Sequence, residues 1–246
     1  MRRVYRKFSH KDSNFRISSA CFEALTAEII RQRRLLESYI LRQPEFRRSL
    51  RPVALLPGAP AIAQRMAAAA ALAAVGPMAA VAGALAQWGV EFALRLGETD
   101  CIVENGGDIY MASPEAVRIG VYAGKDSPFN RLAFEVQAEE LPLALCSSSG
   151  KMGHALSLGC CDLACVVAKD AALADAAATR AGNLVQENNE LQACLDQVMQ
   201  IPGLAGVMLI RGQQIGMAGK LPRLVKQAPG NSAALLTRDK NAGFEP

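Results

Sequence analysis

The sequence predicts an α+β fold in which a largely antiparallel sheet packs against alanine-rich helices. Turn signals of the hairpin type recur. Asn105-Gly106-Gly107 parts the apolar runs 101–104 and 108–112, and Gly212-Gln213 parts 206–211 from 214–218. Asn and Gly accept the positive φ that tight hairpins require. Helical periodicity falls in blocks between these hairpins instead of alternating strictly with strands, which argues against a parallel, doubly wound sheet. Aromatic residues make up only 5% of the chain while alanine abounds, a composition suited to closely packed helices.

At 246 residues, 51% hydrophobic and 20% charged, the chain has the composition of a folded globular protein and length enough for a large core. Residues 1–226 read as a single domain, with two lobes as the alternative. Residues 227–246 are polar and small without a period, and are expected to form a flexible tail. Seven cysteines, an odd number with no Cys-x-x-Cys pair, point to a reduced, cytoplasmic setting. No apolar stretch follows the N-terminal arginines, so no signal peptide is expected.

Charge is uneven. Residues 1–51 hold 13 Lys/Arg against 5 Asp/Glu, a net +8, whereas the rest of the chain sums to −4. A basic segment can attract nucleic acid, but no RNA-binding motif, zinc knuckle or interleaved aromatic accompanies it. A solvated helix face is the simpler reading, and no specific nucleic-acid partner is expected.

In chain order, residues 4–9 and 14–19 read as a hairpin turning at His10-Lys11-Asp12-Ser13. From Cys21 a helical stripe (Phe22, Leu25, Ile29, Leu36, Tyr39, Ile40) runs until Pro44 ends it near Arg42. The proline-rich segment 51–60 is a connector. Residues 66–89 carry no charge, long enough to span a bilayer. Alanine and glycine give little insertion energy, and Gly76-Pro77 breaks the run. Two buried helices are expected, not a membrane span. Strands at 118–122, 132–137 and 143–146 should continue the sheet, followed by a Ser/Gly-rich loop from Ser147, a strand at 163–168, a helix of small residues to about Leu184 and another helix at 190–199.

In that alanine helix Asp175 and Thr179 stand at i and i+4, so a carboxylate and a hydroxyl share one face. Completed by a carbonyl and ligand phosphates, such a set suits Mg²⁺; a buried Asp bonding a nearby backbone fits the spacing as well. The loop Ser147-Ser148-Ser149-Gly150, with Gly153-His154, offers hydroxyls, backbone N–H groups and an imidazole. It suits phosphate binding or a general base, or a structural hydrogen bond from His154. Cys160, Cys161 and Cys165 match no zinc spacing and read as small buried hydrophobes, Cys161 and Cys165 sharing a strand face with Cys160 opposite. No Gly-x-Ser-x-Gly elbow marks a serine hydrolase.

Three segments in order, VENGGDIYM (103–111), the SSSG loop and VVAKDAALADAAAT (166–179), resemble the ApbE superfamily, whose best-known members are flavin transferases that move FMN from FAD onto a protein threonine with Mg²⁺. With VGPMAAVAGALAQ (75–87) and YRKFSHKDSNFRI (5–17), the chain is similar to an uncharacterised cytoplasmic branch of it, over most of residues 1–226. The resemblance implies metal ligation by Asp175 and Thr179, with a carbonyl of residues 76–80 as a third ligand. It implies a flavin or adenine pocket lined by Asn105, Gly106, Gly107, Asp108, Ser148, Ser149 and Gly150, and an acid/base at His154. The transferases' His-x-x-Asp-Pro-x-x-Gly motif is absent, and Ala82 and Gln87 stand where many of them carry charged residues. Two functions follow as expectations: an Mg²⁺-dependent enzyme on FAD, FMN or a related nucleotide, or a non-catalytic flavin- or metabolite-binding protein. The apolar helices also suit a homodimer interface.

Overall fold

The computed structural model describes residues 3–149, 159–188 and 190–226. An eight-stranded, wholly antiparallel sheet forms its centre. Strands β1 (Arg6–His10) and β2 (Ser13–Ser18) make the first hairpin, turning at Lys11-Asp12 with Lys11 at φ 55°. Next in the sheet come β3 (Cys101–Asn105), β4 (Asp108–Ala112), β7 (Leu143–Ser148), β8 (Leu163–Ala168), β9 (Leu204–Arg211) and β10 (Gln214–Gly219). Asn105 pairs with Asp108 across the two-residue turn Gly106-Gly107, whose residues have φ of 64° and 102°. That geometry is why the turn is glycine.

One face of this sheet carries the helices. These are α1 (Phe22–Arg42), the short α2 (Glu45–Arg48), α3 (Ala61–Ala73), α4 (Val81–Arg95), α5 (Ala171–Leu184) and α6 (Leu191–Met199). A 3-10 turn at Pro77–Ala80 joins α3 to α4 through a bend of 105°. Among the described residues no single helix is long and apolar enough to cross a membrane. The basic segment 1–51 is laced with ion pairs: Arg6–Glu23 at 2.8 Å, Arg31–Glu28 at 2.7 Å, Lys11–Glu37 at 2.6 Å and Arg33–Asp12 at 2.5 Å.

The opposite face is covered by a second sheet, which corrects the expectation of a single one. Strands β5 (Val117–Gly120) and β6 (Leu132–Val136) leave the large sheet between β4 and β7 and pair with β11 (Arg223–Lys226) in the order β11-β6-β5. Val117, Phe134 and Val136 pack down onto Ile109, Met111 and Leu145 to form a second core. The short β11 lacks a buried residue to announce it in sequence. Cys161 and Cys165 do not share a face either. Residues before Leu163 have left the strand, and Cys161 packs on the helix side while Cys165 lies in the second core.

Small side chains let the helix layer close up. A Cβ on Gly83 would stand 2.1 Å from the Ala171 carbonyl oxygen and 2.9 Å from the Asp175 Cβ, so α4 meets α5 backbone to backbone. Gly83→Ala should therefore destabilise the chain by about 1–3 kcal/mol or more, a fall of several degrees in Tm. Gly89→Ala, with no neighbour closer than 3.4 Å and a helix-propensity gain of up to about 1 kcal/mol, should be neutral or stabilising in the same thermal melts.

Candidate ligand site between the sheet and the alanine helices

Strand alternation sorts the polar residues near the Gly106-Gly107 turn onto two faces. Asn105 and Asp108 point to the helix layer with Val103 and Tyr110, and Ser148 does so with Ala144 and Cys146. Glu104 and Ser147 point the other way, into the second core's space. The serines therefore correct the sequence reading: Ser147 and Ser148 belong to β7, and only Ser149 follows the strand. Cross-strand pairing with Cys165 and Ala164 outweighs the turn preference of serine.

Asp175 is buried one turn into α5. Its Oδ2 accepts from the Gly83 N–H at 2.9 Å, so the carboxylate lies against the N-terminus of α4, where free backbone donors favour negative charge. Burial nevertheless dominates and pushes its pKa up to about 7, with the Gly83 and Ala82 N–H groups opposing. Asp108, on β4, accepts from the Ser147 N–H at 3.2 Å. Burial and the charge of Asp175 raise Asp108 well above the usual carboxylate range. No cationic side chain is among the groups that set either value. Among the described residues, two carboxylates are thus buried on this face without a cationic side chain to offset them, and Asp108 also feels the charge of Asp175.

Other groups complete the wall. Asn105 donates to the Ala82 carbonyl at 3.4 Å, tying the hairpin to α4. The Ser148 hydroxyl is buried and has no hydrogen-bond partner among the described residues. Thr179 is half-buried one turn beyond Asp175. Gly106 sits exposed at the tip of the turn and Gly107 is half-buried beside it. A Cβ on Gly107 would lie 2.9 Å from the Ser147 Oγ. Ser149 is buried just beyond β7. Gly150 and His154 lie outside the described residues.

Two contributors were not legible as such. Gln87 accepts the Ala171 N–H at 2.7 Å and donates to Glu91 at 2.8 Å. It thereby satisfies the first backbone donor of α5, while the Asp170 side chain caps Leu173 at 2.9 Å. The sequence signal was only a glutamine on an otherwise apolar stretch. Cys146 lies buried between Asp108 and α5, its Sγ 3.5 Å from the Ala171 carbonyl, and burial pushes the thiol up.

The chemistry of this donor set fits a hard cation. Among the described residues no group of three or more His, Cys, Asp or Glu could hold a metal ion. Magnesium binds through one or two carboxylates and takes its remaining oxygens from water and phosphate. The pair Asp108 and Asp175, with the orphaned Ser148 hydroxyl and the hydroxyl of Thr179, offers that kind of partial shell.

The sign of the pH dependence follows from the raised values. The folded chain keeps protons at pH values where the unfolded chain, with aspartates near about 3.9, has released them. The stabilisation is fully present below that range and is lost as pH rises through about 7. In chelator, Tm should fall between about pH 5 and about pH 8, and Asp175→Asn should flatten that slope; an equally steep slope in the variant would contradict the assignment.

A family model described as "AbpE bacteria" matches residues 4–199. A UPF0280 protein of Methanococcus maripaludis is 40% identical over 230 residues, covering 89% of this chain and 92% of that protein. Another, from Methanothrix thermoacetophila, is 41% identical over 201 residues, with 81% and 84% covered. Among solved structures, the flavin transferase ApbE of Vibrio cholerae superposes with a TM-score of 0.55 at 14% identity, covering 90% of this chain and 97% of that one. The ApbE protein of Thermotoga maritima gives 0.56 at 12% identity, with 96% and 100% covered. The fold of this chain is ApbE-like.

Proposed function

The chain belongs to the AbpE bacteria family, and we propose that its Asp108 and Asp175 carboxylates bind Mg²⁺ together with the diphosphate of a flavin nucleotide, FAD in the first instance. The observation that carries this reading is the pair of buried carboxylates, Asp108 and Asp175, for which no cationic side chain among the described residues offsets burial. Isolated buried charge is costly, and a divalent cation relieves it. Asp175 and Thr179 would hold the ion from one face of α5, with Asp108 and the Ser148 hydroxyl opposite. When bound, Mg²⁺ would neutralise charge on a diphosphate and its leaving group. The hairpin residues Asn105 to Asp108, with Ser148, Ser149 and Gly150, would line the nucleotide.

The reaction we infer is phosphoryl-group transfer at that diphosphate. An acceptor hydroxyl, of a protein threonine or of water, forms a bond to the phosphorus on the FMN side. The bond to AMP breaks, and the hydroxyl proton passes to a base, for which His154 is the candidate. The missing His-x-x-Asp-Pro-x-x-Gly motif favours a second reading, in which the pocket binds flavin without turnover.

Magnesium at about a hundred times its Kd should raise Tm at about pH 8 by roughly 5–10 °C, and Asp175→Asn should abolish the rise. Incubation with FAD and Mg²⁺ should release AMP, read by chromatography. Tight FAD binding without AMP would select the binding-only reading, no Mg²⁺ response would overturn the metal reading, and no FAD binding at all would overturn both.

A further inference from the structure

On the opposite face of the large sheet from Asp175, a cavity of about 150 Å³ separates it from the three-stranded sheet. An engineered apolar cavity of about this volume takes up benzene, so the space matches a flat ring. Ile102, Ile109 and Leu145 form the floor from the large sheet, and Ile119 and Phe134 the roof from the small one.

One wall is charged. Arg16 and Glu104 are direct partners in the β2–β3 register. Their nearest charged atoms stand 3.8 Å apart, with side chains 13% and 7% exposed. The Arg16 guanidinium lies over the Tyr5 ring, 4.2 Å from its centroid, a cation–π contact that helps hold it in place. Burying such a pair is a poor source of stability, and an apolar pair would fill the same place at lower cost. A guanidinium has five N–H donors and a carboxylate about four acceptor positions, so each can serve a ligand in addition to its protein contacts.

The slot therefore presents a donor and an acceptor side by side at the edge of a ring-sized apolar space. Arg118, the other charged residue of the lining, is 70% exposed and paired with Glu135 at 2.6 Å; an anion in the slot would therefore meet Glu104 and a cation Arg16, so charge of either sign is disfavoured. A plain hydrocarbon ring would leave the charged wall facing apolar surface. We propose that this cavity binds a neutral heteroaromatic ring with a lactam edge, an N–H beside a C=O. Glu104 accepts from the ring N–H and Arg16 donates to the ring C=O. The site does not depend on the metal reading, because the sheet itself lies between the two.

The test is calorimetric titration of the full chain with hypoxanthine and uracil, with inosine and uridine monophosphates as the nucleotide-borne forms of the same edges, and with adenine as a ring of similar size lacking that edge. Binding of the free bases, or of the monophosphates alone, supports the site and identifies which form it takes. Adenine should bind at least tenfold more weakly, Glu104→Gln should weaken binding at least tenfold, and Asp175→Asn should leave it unchanged. Ile119→Phe, which fills the cavity from the small sheet, should abolish binding and serves if Glu104→Gln fails to fold. The proposal is overturned if no ring binds, if adenine binds equally well, if Asp175→Asn removes binding, or if the Glu104 and Ile119 variants that fold bind as the parent does.

Discussion

The arrangement depends on the approach of α4 to α5 at Gly83. With no side chain there, the Ala171 carbonyl and the Asp175 Cβ come within what would be overlap for any larger residue. The same approach brings the Gly83 N–H to the Asp175 carboxylate. A helix N-terminus is thus buried with one of its free donors satisfied across the interface rather than by its own cap. Alanine on both helices makes this distance reachable. Gln87, one turn along α4, returns the interaction by accepting the first N–H of α5. Each helix supplies the capping group for the other, and the position of Asp175 follows from that exchange.

The sheet contributes a different constraint. Its two faces are sorted by single-residue alternation, so adjacent residues serve separate environments. Glu104 and Ser147 look toward the small sheet, while Asn105 and Ser148 look toward the helices. A shift of one residue in either hairpin would exchange the two sets. The Gly106-Gly107 turn holds the β3–β4 register with both residues at positive φ. The cis-facing pair Asp108 and Asp175 therefore rests on backbone geometry as much as on side-chain chemistry.

Much of this was legible in the sequence because the signals were local. The Asn-Gly-Gly turn, the Gly76-Pro77 break and the i, i+4 pair of Asp175 and Thr179 each depend on residues close in the chain, and the structure has them where the pattern set them. Signals that depend on distant partners were not legible. Ser147 and Ser148 read as loop until their pairing with Cys165 and Ala164 draws them into β7. Strands β5 and β6 look like continuations of the large sheet, and only pairing with β11 some ninety residues later reveals a separate one. Asp108 carried no hint that Asp175 would raise it, since that effect exists only once burial removes solvent from both.

That burial also ties the protonation of the helix-face carboxylates to the cation proposed to bind them. Both carboxylates hold their protons above the ordinary carboxylate range because burial disfavours the charged form, and at Asp108 the charge of Asp175 adds to that. A divalent ion must displace those protons to bind, so its affinity increases as pH rises. The backbone donors from α4 bind the ionised form of Asp175 and lower the cost of that exchange. They can do so because they are fixed in place by the helix contact at Gly83. The feature that packs the helices is thus the one that favours the ionised form of Asp175, the form the proposed cation would need.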